Sequence, residues 1–188
     1  MSEPALRLFV ALDLPDEARV ELVHWRASVV AAQAGLRAVG DESLHVTLCF
    51  LGSLPGGAVP GILDACGELS GMEAPHLTLA EALWLAPRRP HVLAVSVRDA
   101  ESRLAAVQSK LSGVLSAGGW YVPEARPFLA HVTVARVRRG ARVRPVELPA
   151  PAPVAFRGRA VVLYRSRLGR GGAHYEALGR VQLGPSLS

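Results

Sequence analysis

Apolar and polar residues alternate over Ala5 to Asp13, Leu44 to Leu51, His76 to Leu85, His91 to Val97, Phe128 to Val137, Val154 to Tyr164 and His174 to Leu183, which predicts seven strands. Helical spacing replaces alternation in three places. Pro15 to Ala34 opens on Pro15 with Asp16 and Glu17 in its first turn, carries Val20, Val23, Val30 and Ala34, and stops at Gly35. Val59 to Leu69 reads as a shorter helix. Ala100 to Leu115 sets Leu104, Val107, Leu111 and Val114 or Leu115 on one stripe before Gly118-Gly119. Turns are expected at Gly52 to Gly57, Ala86 to Pro90 and Arg167 to Gly172; Arg138 to Pro153 is polar and Pro-rich, and the tail from Gly184 should fray.

This order predicts an α+β protein. Helix followed by a His-bearing strand occurs at 15–51 and again at 100–137. The expectation is one bilobal domain over 1–188. It has two antiparallel sheets related by a pseudo-twofold around a central groove, with helices packed outside.

The two repeated strands carry the chemistry. Each contains His-x-Thr: His45-Val46-Thr47 and His131-Val132-Thr133. In a strand the imidazole and the hydroxyl share a face while the apolar residues point the other way. Two such pairs facing one another would make a symmetric phosphate site. All three Thr of the chain lie two residues after a His, the third case being His76-Leu77-Thr78, whereas random placement gives about 0.1 such pairs. Strict alternation puts Cys49 and Leu129 on the His faces, and Arg136 and Phe50 on the opposite ones.

Length and composition narrow the class. The 188 residues are half apolar, enough for a sizeable core, and no run nears the roughly 20 residues that span a bilayer. The first 16 residues read as a strand rather than a signal peptide. Cys49 and Cys66 form no disulfide framework or metal spacing and read as reduced, buried thiols, with the role of Cys49 beside the first motif left open. A cytoplasmic monomer with no membrane partner is expected. Net charge is +5, and 20 of the 21 basic residues are Arg. Codon bias or an anion-seeking surface gives that excess; Arg grips phosphate bidentately, as Lys does not.

With these residues in view, the sequence is identified as a member of the two-histidine (2H) phosphoesterase superfamily and resembles its LigT-like RNA 2′,3′-cyclic phosphodiesterases. Arg7-Leu8-Phe9-Val10-Ala11-Leu12-Asp13 resembles the opening strand. His45-Val46-Thr47-Leu48-Cys49-Phe50-Leu51-Gly52 and Arg126-Pro127-Phe128-Leu129-Ala130-His131-Val132-Thr133-Val134-Ala135-Arg136 resemble the two motifs. Leu163 to Leu168 followed by Gly171 to Tyr175 resembles the closing hairpin. Ala130 stands where the family commonly has Pro. The third His-x-Thr lacks the flanking elements, so His76 is expected to be structural or exposed.

The resemblance implies hydrolysis of 2′,3′-cyclic phosphates on RNA 3′ ends or nucleotides to 2′-phosphomonoesters. His45 would be the proton donor to the 3′ oxygen and His131 the proton acceptor from water, with Thr47 and Thr133 bonding the phosphate oxygens. Arg136, Arg126, Phe50, Tyr175 and Ser166 are the candidate substrate contacts. No cofactor and no metal is expected. The alternatives are 2′–5′ RNA ligation at the same site, a non-catalytic RNA-binding module, and a zinc site using a third His. The last lacks acidic partners in either motif.

Overall fold

The computed structural model describes residues 4–86, 88–169 and 172–184. Position 87 in the expected 86–90 turn, positions 170 and 171 in the 167–172 turn, and the tail beyond 184 lie outside the described residues.

Among the described residues nine strands and three α-helices follow in the order β1 (Ala5–Asp13), α1 (Asp16–Ala31), β2 (Leu36–Ala38), β3 (His45–Pro55), α2 (Val59–Gly67), β4 (His76–Leu85), β5 (Val92–Arg98), α3 (Arg103–Ala117), β6 (His131–Val137), β7 (Ala155–Arg157), β8 (Ala160–Gly169) and β9 (Gly172–Gln182). The class is α+β, as the alternation and helix patterns predict. Several strands differ from expectation, β3 running to Pro55 and β8 to Gly169, each into an expected turn. The three-residue β2, too short to show a period, pairs with β6. The predicted strand over 154–164 is split at Gly158, where a Cβ would fall 2.5 Å from a methyl of the fully buried Leu12.

Every strand pairing is antiparallel, in the order β7-β4-β5-β6-β3-β1-β8-β9, with β2 beside β6. The two halves anticipated from the repeat are β7-β4-β5-β6 and β3-β1-β8-β9. They meet through one residue pair, Val46 with Val132, and so form a single continuous sheet. Each half places its His-x-Thr strand at this seam. The sheet must curl steeply. β7 and β8 stand six strands apart in the order, about 29 Å if flat, yet only Gly158 and Arg159 join them, a link that reaches about 11 Å at most.

The helices fill one side of the curl. α1 buries Ala18, Leu22, Trp25 and Val29 against β2, β6 and β7, a stripe one position off the expected one; Val20 is 66% exposed. Arg26 is buried on this face because it donates to the Val39 carbonyl and pairs with Asp41. α3 buries the expected Leu104, Val107, Leu111 and Leu115 against β3 and α2. The segment over 138–153 has no regular element. It is tacked down by two indoles, Trp25 Nε1 to the Pro149 carbonyl and Trp84 Nε1 to the Val146 carbonyl, both at 2.9 Å.

Candidate active site

The site begins with the seam. Continuing the Val46–Val132 register by one residue sets His45 beside Thr133 and Thr47 beside His131, all on one face. Val46 and Val132 turn the other way and are fully buried, while all four motif side chains are half-buried. Apolar burial beneath the ladder therefore fixes the polar quartet above it.

The two imidazoles are held alike. His131 Nδ1 lies 2.8 Å from the Leu129 carbonyl, two residues upstream. A carbonyl only accepts, so Nδ1 carries the proton and neutral His131 keeps its Nε2 lone pair free. His45 Nε2 lies 3.0 Å from the Thr47 hydroxyl, and its ring also hydrogen-bonds the backbone of Ser43, again two residues upstream.

Both strands then do what alternation forbids. Between Ala11↔Thr47 and Val10↔Cys49 the ladder skips Leu48; between Ala94↔Thr133 and Leu93↔Ala135 it skips Val134. Each is a β-bulge three residues after the motif His, and each reverses the facing of the residues downstream of it. Cys49 and Ala135 turn into the core, 1% and 0% exposed. Phe50 and Arg136 turn out. The alternation-based placements of Cys49, Phe50 and Arg136 are thus corrected by one device used twice. Phe50 is 59% exposed, and Arg136 is close enough to act on the charge of His45. A second shift in β3 skips Leu51 ahead of Gly52, whose φ of +75° is strained for any side-chain-bearing residue.

An aromatic cage surrounds His45. Phe9 lies 5.0 Å from the imidazole and stacks on Tyr164 at 5.3 Å; Tyr175 meets the imidazole edge-on at 5.3 Å. Ser166 stands directly across the ladder from Tyr175 and shares its face. Phe9 and Tyr164 were not among the sequence candidates. Leu129, half exposed, does lie on the cleft side. Next to the His131–Thr47 pair a cleft of about 300 Å³ is lined by Phe50, Arg126 and Phe128 and by the unanticipated Gln108, Tyr121 and Glu124.

Burial pushes the His45 pKa down to about 4, with Arg136 and His131 adding to the fall and the Ser43 bond and the Asp13 carboxylate opposing it. His45 is therefore neutral in the empty site at pH 7. Asp13 sits opposite His45 in the ladder and accepts from Arg19 at 3.1 Å and Arg180 at 2.7 Å. Cys49 is inert by the same physics: burial lifts its thiol to about 12. Among the described residues no three His, Cys, Asp or Glu side chains converge as a metal site requires, and no helix is long and apolar enough to cross a membrane.

The desolvated, half-buried imidazole has a stability consequence. An unfolded His titrates near 6.5, so between pH 6.5 and 4 the unfolded chain binds a proton that the folded one refuses. Stability should fall through that window, by up to about 3 kcal/mol from this group alone. Thermal melts of His45→Gln from pH 7 to 4.5 should lose less than those of the parent. Parallel curves for the two proteins would remove His45 as the source.

A family model described as LigT like Phosphoesterase matches residues 12–93. The RNA 2′,3′-cyclic phosphodiesterase of Escherichia coli K12 is 32% identical over 96% of this chain and 97% of its own length. That of Thermus thermophilus is 31% identical over 95% of this chain and 90% of its own. The crystal structure of E. coli LigT complexed with 3′-AMP superposes with a TM-score of 0.80 at 30% identity, covering 95% of this chain and 98% of that one. With whole-chain identity above 30% and the same fold throughout, the chain belongs to the LigT-like 2H phosphoesterases.

Proposed function

We propose that this protein hydrolyses 2′,3′-cyclic phosphates, on RNA 3′ ends or on nucleotides, to 2′-phosphomonoesters at the His45–His131 pair. One observation carries the chemical part: the seam register, which sets each imidazole beside the other strand's Thr hydroxyl on a single open face. The named activity of the E. coli and Thermus relatives supports the choice of substrate.

The cyclic ester needs one proton removed from the attacking water and one delivered to the departing 3′ oxygen. His131, with its proton pinned on Nδ1 by the Leu129 carbonyl, offers Nε2 to the water. As the water oxygen bonds to phosphorus, the bond from phosphorus to O3′ breaks, and His45 gives O3′ its proton. Thr47, Thr133 and Arg136 are placed to meet charge growing on the non-bridging oxygens. His45 needs its proton only when substrate is present. The cyclic phosphate brings a negative charge to the ring, opposing the desolvation that empties it in the free protein. Phe50 and Tyr175 offer aromatic faces for the nucleoside.

Cyclic 2′,3′- and 3′,5′-nucleotides assayed side by side in excess EDTA test this reading. Turnover of the 2′,3′ isomer alone, with only the 2′-monoester formed, is expected. Formation of the 3′-monoester would reverse the roles of the two ring-opening oxygens, and equal use of the 3′,5′ isomer would reject the strained-ring substrate.

A further inference from the structure

A larger cavity, about 680 Å³, has Asp13, the ladder partner of His45, in its wall and shares no lining residue with the cleft that Phe50 lines. It is built where the curl of the sheet closes. The start of β4, β7, the Gly158–Arg159 link and the ends of β1 and β9 all contribute to its wall. Here the third His-x-Thr reappears. His76 and Thr78 share one face of β4, as Leu77 and Leu79 fill the core, and Arg157 stands directly across the ladder from His76. His76 is exposed, as its sequence context implied, but its surroundings are specific.

The charges in this cavity are not balanced against one another. Asp13 is held by Arg19 and Arg180, and Glu101 by Arg103. The side chains of Arg157, Arg159 and His76 make no hydrogen bond or ion pair with a described residue. Two guanidinium groups, an imidazole and a hydroxyl thus line a cavity with only Glu17 opposing them unpaired. Such a set suits a phosphodiester, which Arg grips bidentately and a Thr hydroxyl can satisfy. The cavity begins at Asp13, one strand spacing, about 4.8 Å, from His45. Asp13 thus ties the wall of this cavity to the His45 end of the seam.

We infer that the His76–Thr78–Arg157–Arg159 cavity binds the backbone phosphate upstream of the terminal cyclic phosphate when an RNA end occupies the site. This rests on the proposed reaction at His45 and His131, and it adds a second phosphate subsite. The two catalytic motifs engage the terminal phosphate; the third copy engages its neighbour in the strand.

The test compares the parent protein with Arg157→Ala/Arg159→Ala and with His76→Ala, none of which belongs to the reacting pair. Substrates are a cyclic mononucleotide and a six-nucleotide RNA ending in a 2′,3′-cyclic phosphate. For the double variant kcat/KM on the RNA should fall about tenfold or more, and on the mononucleotide change by less than about twofold; His76→Ala should show the same contrast, smaller. Fluorescence anisotropy with a 5′-labelled hexaribonucleotide ending in a 3′-phosphate reads the cavity independently of turnover. Its Kd should weaken by a similar factor, and the slope of log Kd against log salt should flatten by about 0.7 for each phosphate no longer gripped. Equal losses on both substrates, or unchanged RNA affinity in both variants, would overturn the inference. A parent that binds the hexamer through these residues but turns over neither substrate would leave the cavity in place and remove the reaction instead.

Discussion

His131→Ala and His45→Ala should each lower kcat for a 2′,3′-cyclic nucleotide by about 10² to 10⁴, the range for losing one positioned acid–base group, while circular dichroism and melting stay near those of the parent. Folding should survive because both rings sit on the groove face and are only half-buried, whereas the ladder beneath them is fixed by Val46, Val132, Val134 and Leu48. The two losses should not multiply. Once either proton transfer fails, the other group has little left to assist, and the double variant should fall close to the worse single one. Melting of His45→Ala below pH 5 should even improve on the parent, because alanine, like glutamine, removes the ring that resists protonation in the fold. Turnover retained at more than a tenth of the parent rate in either single variant would mean that the rings do not share the chemistry.

Arg136→Met should cost about 10² in kcat/KM, comparable to removing one preorganised donor from a developing oxyanion. Methionine keeps the length and the aliphatic stem, so the loss reports the charge. The same substitution has an electrostatic signature that mere packing damage would not give. Arg136 helps drive the proton from His45, so its removal should move the His45 titration upward from about 4, visible in the imidazole resonances. The acid-side break of kcat/KM, which reports the free protein, should follow it. Activity lost without any movement of His45 would place Arg136 in the architecture and not in the field acting on the site.

The pairing of residues with roles was legible in different degrees. Three Thr each following a His at the same spacing disclosed the quartet without any fold, because side-chain alternation is a local property of strands. The burial stripe of α3 was equally plain, since Leu104, Val107, Leu111 and Leu115 have no competing face. α1 misled because its apolar residues are scattered around the helix: Val20 belongs to solvent, and the buried stripe includes an Arg. The harder failure was at Phe50 and Arg136. Alternation runs correctly from His45 to Leu48 and from His131 to Val134, and then breaks at the apolar doublets Leu48-Cys49 and Val134-Ala135. A doublet in an alternating strand is the visible trace of a bulge, and reading both would have turned the two side chains to the correct side. Phe9, Tyr164 and the 680 Å³ cavity needed the ladder register and the curl, both of which depend on contacts between residues far apart in the chain.

The single rung between Val46 and Val132 sets the mechanics of the groove. Two halves joined by extended hydrogen bonding would hold their catalytic strands at a fixed separation. Joined at one rung, they rely on a second tie, the Gly158–Arg159 link where the curl closes, to stop them pivoting about it. With both places tied, the separation of the two His-x-Thr strands is set jointly by the rung beneath them and by the link that closes the curl. A change in the length of that link therefore reaches the spacing of the two imidazoles, although it touches neither.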